Sequence, residues 1–103
     1  MTMHLRVLLP TNVLVDATAH SISAEGHHGQ FTLLPRHVDV AAALVPGILS
    51  WMADEERFAA LAGGLLIKRG ADVTVVADRA VLGDGLGQLR RTIEQDFRAI
   101  DER

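Results

Sequence analysis

The sequence predicts a mainly β fold, a small sandwich or barrel of short strands, followed by one C-terminal α-helix. Apolar residues alternate with polar ones through most of the first eighty positions, the period of a half-buried strand. Turn signals built from Gly, Pro, Asp and Asn recur about every eight to twelve residues, the spacing of sandwiches and barrels. After Gly83 the apolar spacing changes to three and four, the period of a helix.

Met3, Leu5, Val7 and Leu9 alternate with His4, Arg6 and Leu8 to form the first strand, which Pro10-Thr11-Asn12 ends. Val13 to Ser23 reads as extended, with Thr, Ser, Ile and Val and no helical stripe. Glu25-Gly26-His27-His28-Gly29 reads as a loop, because Gly26 and Gly29 tolerate positive φ. Gln30 to Leu34 is a short strand stopped by Pro35, which lacks a ladder donor and pushes its predecessor to extended geometry. Val38 to Val45 reads as extended, and Pro46-Gly47 suits a type II turn with proline at i+1 and glycine at i+2. Ile48–Met52 and Arg57–Ala62 flank a polar hairpin turn. Gly63-Gly64 precedes the strand Leu65–Ile67, Lys68 to Asp72 is a polar turn, and Val73–Ala77 closes the series. Residues 1–82 are thus a β domain, and 83–103 are a glycine-rich junction and an amphipathic helix. The stripe of that helix is Leu86, Leu89, Ile93, Phe97 and Ile100, with Arg90-Glu94, Glu94-Arg98 and Arg98-Glu102 as i,i+4 pairs of about 0.2–0.5 kcal/mol each.

A chain of 103 residues hides roughly two thirds of its unfolded surface, enough for one core. The hydrophobic fraction is 49% but the aromatic fraction only 4%, so aliphatic residues must build that core. Net charge is −3 with the basic residues scattered, which disfavours nucleic acid and anionic lipid as partners. There is no cysteine, hence no disulfide, thiolate metal site or thiol nucleophile. No apolar run reaches the ~20 residues that span a bilayer, so direct membrane insertion is not expected. Arg6 and Pro10 interrupt the opening segment, which does not read as a signal peptide; the expectation is a soluble protein.

Candidate chemistry is sparse. Adjacent His27 and His28 point apart on an extended loop, unlike metal ligands that share a face, and read as solvated; no metal or cofactor is expected. His37 follows the Leu34-Pro35 corner and is either a half-buried turn residue or an interface residue at the end of the β domain. Ser21, Ser23 and Ser50 sit in no nucleophile elbow, and the pairs Glu55-Glu56 and Asp101-Glu102 do not converge. Gly83-Asp84-Gly85-Leu86-Gly87 lacks the Lys-Ser/Thr of a phosphate loop. Trp51 reads as core, or else as an exposed anchor for a partner. Nothing here looks like an enzyme.

The order of these elements resembles the epsilon subunit of F-type rotary ATPases. The resemblance lies in Gly26 through His37, with its Leu34-Pro35-Arg36-His37 corner, then Leu44-Val45-Pro46-Gly47, then Gly63-Gly64-Leu65-Leu66-Ile67, and finally Val73-Thr74-Val75-Val76-Ala77-Asp78. It covers about residues 3 to 82, and the wording around the corner is most similar to the alternate, sodium-type branch. It implies a two-sheet antiparallel β-sandwich followed by one C-terminal α-helix.

The same resemblance implies a non-catalytic central-stalk subunit. It would couple ion movement through the c-ring to ATP synthesis or hydrolysis by docking on gamma and the c-ring within the F1Fo complex. Its place would be the cytoplasmic side of the bacterial inner membrane. It implies interface positions at Gln30, Pro35, Arg36 and His37, and structural turn positions at Gly26, Gly29, Pro46, Gly47, Gly63 and Gly64. Gln30 stands where many members carry an acidic residue, which removes a charge from the c-ring-facing loop. The usual helical hairpin is shortened to about seventeen residues, ~25 Å of helix, so inhibition of ATP hydrolysis by that hairpin is not expected. Leu86 to Arg91 keeps the arginine of the family's ATP motif but lacks its Asp and Ala, so ATP binding is not expected either. The competing reading is a small β-sandwich adaptor with a metal or peptide site in the His27-His28 loop; a small hydrolase comes third.

Overall fold

The computed structural model describes residues 1–83 and 85–97. Its strands are β1 (Met3–Leu8), β2 (Val13–Ala19), β3 (Ser21–Gly26), β4 (Gly29–Leu33), β5 (Val40–Met52), β6 (Glu56–Arg69), β7 (Asp72–Val76) and β8 (Ala80–Gly83). They form one eight-stranded hydrogen-bonded sheet in the order β2-β1-β7-β6-β5-β3-β4, with β8 on β6. The sheet doubles over into the two layers of the expected sandwich. Pairing is antiparallel except between β1 and β7, which run parallel.

The doubling-over depends on β5 and β6, which belong to both layers. The second half of β6 pairs with β7 through Leu65↔Val76 to Arg69↔Asp72. Its first half pairs with β8 through Phe58↔Gly83 to Leu61↔Ala80. Between these halves lie Gly63 and Gly64, at φ 102° and 151°. A Cβ on Gly64 would stand 2.3 Å from the Val76 carbonyl oxygen, so no other residue fits this bend without moving β7.

Pro46 and Gly47 do not form the expected turn. Both lie inside β5, paired as Pro46↔Ala62 and Gly47↔Leu61. The explanation lies on the other side of β5. Pairing of β3 with β5 breaks between Ser23↔Ser50 and Gly26↔Leu44, so Ala24 and Glu25 face the longer stretch Val45–Leu49. Residues 46 and 48 turn their backbone polar groups to the same edge, and the Ile48 N–H donates into this gap, to Glu25 Oε2 at 2.6 Å. Pro46, which has no N–H, therefore occupies a place where no strand could accept one. Gly47 makes room for the carboxylate, since a Cβ there would lie 2.6 Å from the Glu25 carboxyl. Gly63 and Gly64 are likewise a bend within β6 rather than a turn before a strand. Gly26 and Gly29 do close a turn, pairing with each other around His27-His28 at the β3–β4 hairpin, with Gly29 at φ 113°.

The stretch read as one extended segment, Val13 to Ser23, is two strands in different layers. The chain crosses at His20, whose N–H donates to the Met52 carbonyl at 2.7 Å. The main core lies between the layers and includes Leu5, Val7, Ile22, Leu49, Leu66 and Val75. Trp51 is core, 4% exposed.

A second, smaller cluster lies on the outside of the β5–β6 hairpin. There α1 (Leu86–Thr92) and a π-helical turn (Ile93–Phe97) lay Leu89, Ile93 and Phe97 over Ile48 and Ala60. Residues four apart drift about 40° round an α-helix at each step. The wider i→i+5 turn takes up that drift and keeps Phe97 on the face of Ile93. Gly83 lets the helix approach, because a Cβ there would lie 2.7 Å from Leu89 Cδ2. The Arg79 guanidinium sits 5.1 Å from the centre of the Phe97 ring and donates to the Asp96 carbonyl at 3.4 Å. The helical stripe thus folds back on the sandwich; Ile100, Arg98 and Glu102 lie outside the described residues.

Candidate docking surface

The outer face of the β2-β1-β7-β6-β5 layer carries an apolar row. Read across the strands by register, it runs Val13, Leu8, Val76, Leu65, Ala43. Alternation sets it: Val7, Val75 and Leu66 point inward, so Leu8, Val76 and Leu65 must point out. Val13 is 53% exposed, Val76 47% and Leu65 43%. Contiguous exposed apolar side chains of this kind mark interaction surfaces, unlike scattered single ones.

Polar groups border the row on one side. The next row along the strands is Asp16, Arg6, Thr74 and Ile67, and the row beyond it brings His4, Asp72 and Arg69. His4 bonds Asp16 through Nε2, and its Nδ1 lies 3.9 Å from Asp72 Oδ1. An apolar centre with a charged rim is the usual anatomy of a protein–protein contact.

The Leu34–His37 corner lies near this charged border. The His37 N–H donates to the Leu34 carbonyl at 2.9 Å, closing a β-turn with Pro35 at i+1. Arg36 and His37 are exposed. The Arg36 Nε donates to Met1 Sδ at 3.4 Å, and His37 Nδ1 lies 3.1 Å from the Val38 carbonyl oxygen. Leu34 and Val38 on either side are also exposed.

Beneath the corner lies a residue that sequence reading missed. Lys68, which the sequence places in a polar turn, is only 1% exposed. Its Nζ donates to the carbonyls of His37 at 2.6 Å, Gly70 at 2.7 Å and Pro35 at 3.4 Å. Asp39 Oδ1 accepts the Gly70 N–H at 2.8 Å, tying the same two segments again. The available signal was parity: Leu66 points inward, so Lys68, two residues on, does too.

Gln30 is not beside the corner. It sits at the hairpin end of β4, whereas the corner follows Leu33, roughly 10 Å away along an extended strand. Gln30 instead lines a shallow groove of about 400 Å³ with His27, His28, Phe31 and Ala43. Ala43 also ends the apolar row, so Gln30 stands beside that row. His27 and His28 are exposed in their turn, and among the described residues no three His, Cys, Asp or Glu side chains cluster as metal ligands. Among the described residues, no helix is long and apolar enough to cross a membrane.

A doubled-over sandwich whose outer face carries an apolar row beside a charged border has the form of a docking domain. Residues 2–83 match the family described as ATP synthase, Delta/Epsilon chain, beta-sandwich domain. The ATP synthase epsilon chain 2 of Paraburkholderia xenovorans is 36% identical over 97 residues, covering 90% of this chain and 70% of that protein. The ATP synthase epsilon chain 2 of Cereibacter sphaeroides is 36% identical over 106 residues, covering 99% and 73%. The chain belongs to the ATP synthase epsilon family. Among solved structures, a chain of the Euglena gracilis mitochondrial ATP synthase OSCP/F1/c-ring assembly shares the fold at TM-score 0.76 and 16% identity, covering 98% of this chain and 73% of that one. A chain of the Tetrahymena thermophila mitochondrial ATP synthase central stalk/c-ring does so at TM-score 0.69 and 13% identity, covering 97% and 96%.

Proposed function

We propose that this chain is a non-catalytic rotor subunit of a rotary F-type ATP synthase. It seats its apolar outer face on the gamma subunit and presents the Gln30 hairpin end to the c-ring. The observation that carries this reading is the Val13–Leu8–Val76–Leu65–Ala43 row, in a chain of the epsilon family. The Pro35, Arg36 and His37 corner extends the gamma contact at the charged end of that face. The subunit works on the cytoplasmic side of the bacterial inner membrane, held there by the complex.

Calorimetric titration against the cognate gamma subunit tests the reading, with Leu65→Asp as the variant. Burying an aliphatic side chain contributes about 1.5–3 kcal/mol, so its loss should weaken binding roughly 10–100-fold. Because Leu65 is already half exposed, the melting temperature should hardly move. Wild-type affinity in Leu65→Asp would remove this face from the interface.

A further inference from the structure

We propose that Lys68 is the positioning residue of the docking corner, holding Pro35–His37 in shape from below; this rests on the docking reading above. At position 68 the inward parity of β6 calls for an apolar side chain, and the chain places an ammonium there. A buried charge is costly unless its donors are matched. An ammonium has three donors, and here each has a carbonyl: Pro35, His37 and Gly70. Among the described residues Lys68 forms no ion pair, so it does not serve as half of a salt bridge. Two of its three partners belong to the corner and the third to the β6–β7 turn. Together with the Asp39–Gly70 bond, this side chain sets the distance between the two loops that flank the Val40↔Lys68 pair.

An apolar side chain at 68 would leave those carbonyls without their donor. The sheet could not relieve this by moving, because β6 is held by β5 and β7 through Lys68↔Val40 and Lys68↔Val73. The corner can, since Leu34, Arg36, His37 and Val38 are all exposed and the turn can swing outward to water. Loss of Lys68 thus displaces the corner more than it unfolds the domain.

The test uses the full chain as wild type, Lys68→Met, Arg36→Glu and the double variant. Amide hydrogen exchange over residues 34–39 is measured in the free protein, and gamma affinity by calorimetry. Lys68→Met should speed exchange at the corner at least tenfold, leave the amides of β1 and β5 protected, and weaken gamma binding about tenfold. Its effect on affinity should shrink in the Arg36→Glu background, because both act through one corner, whereas a general loss of stability would add independently. If Lys68→Met does not fold, Asp39→Ala loosens the same tie to Gly70 from an exposed position and should show the same pattern more weakly. Unchanged corner exchange, or additive effects of Lys68→Met and Arg36→Glu, would overturn the role of Lys68 and leave the docking reading standing. Unchanged affinity in Arg36→Glu would take the corner out of the interface and overturn the docking role of Lys68, while Leu65→Asp separately decides the docking reading.

Discussion

Replacing Leu89 by alanine separates two ways in which the C-terminal helix can belong to this fold. If the helix were part of the main core, Leu89→Ala would cost the 2–5 kcal/mol typical of a buried leucine. For a domain of this size that is a fall of about 8–40 °C in the melting temperature. The packing argues otherwise. Leu89, Ile93 and Phe97 form their own cluster with Ile48 and Ala60, outside the sheet, and share no member with the cluster that holds Trp51. The described helix is one of seven α-helical and five π-helical residues, too short to persist undocked. Removing this leucine should therefore release the helix rather than leave a cavity beneath it, and the cost cannot exceed the free energy of docking. Two probes report separately: ellipticity at 222 nm follows the helix, and Trp51 fluorescence follows the sandwich. Leu89→Ala should lose most of the helical signal at 25 °C while the Trp51 transition shifts by only a few degrees. A single transition in both probes, displaced downward by 10 °C or more, would refute the reasoning and make the helix integral to the core.

Two further substitutions test the bend and the gap. Gly64→Ala places a Cβ on the Val76 carbonyl at a positive φ, so a loss of about 1–3 kcal/mol should appear as a lower urea midpoint. Glu25→Ala should cost about 1–3 kcal/mol by leaving the Ile48 N–H without its acceptor, Glu25→Gln should cost less because an amide oxygen remains, and chemical denaturation of the three proteins should rank them in that order.

The elements that could be read from the sequence are those whose cause is local. β1 and β7 alternate apolar and polar residues, and the helix carries its stripe at four-residue spacing; in each, neighbouring residues hold all the information. Pro46-Gly47 failed for the opposite reason. As a dipeptide it satisfies every local rule for a turn, and only the interruption opposite, where Glu25 replaces a strand partner, makes it an acceptable strand interior. β8 escaped notice because Ala80–Gly83 has no clear alternation, its two central residues both being exposed. The candidate site divides in the same way. The Leu34–His37 corner was visible because proline fixes it in place. The apolar row was not, because Val13, Leu8, Val76, Leu65 and Ala43 are adjacent only once five strands are in register.

The geometry also bears on how such a subunit could transmit load. The outer face that carries the apolar row and the outer face that carries the helix are opposite sides of the molecule, and β5 and β6 contribute to both. Leu65 and Ala43 lie on one half of that hairpin, Ile48 and Ala60 on the other, and the ladder between them runs from Val40↔Lys68 to Met52↔Glu56. A force applied at the docking face therefore passes along two covalent chains and their shared hydrogen bonds before it reaches the second face, instead of crossing a slip plane between packed side chains. The weak place on that path is the bend at Gly63 and Gly64, where the backbone has positive φ and few side-chain contacts. Glu25 stands on the opposite edge of β5 from this bend and bonds the strand at Ile48. The bond restrains β5 where it has lost its regular partner, so the same carboxylate that excuses Pro46 also stiffens the corner through which the two layers are joined.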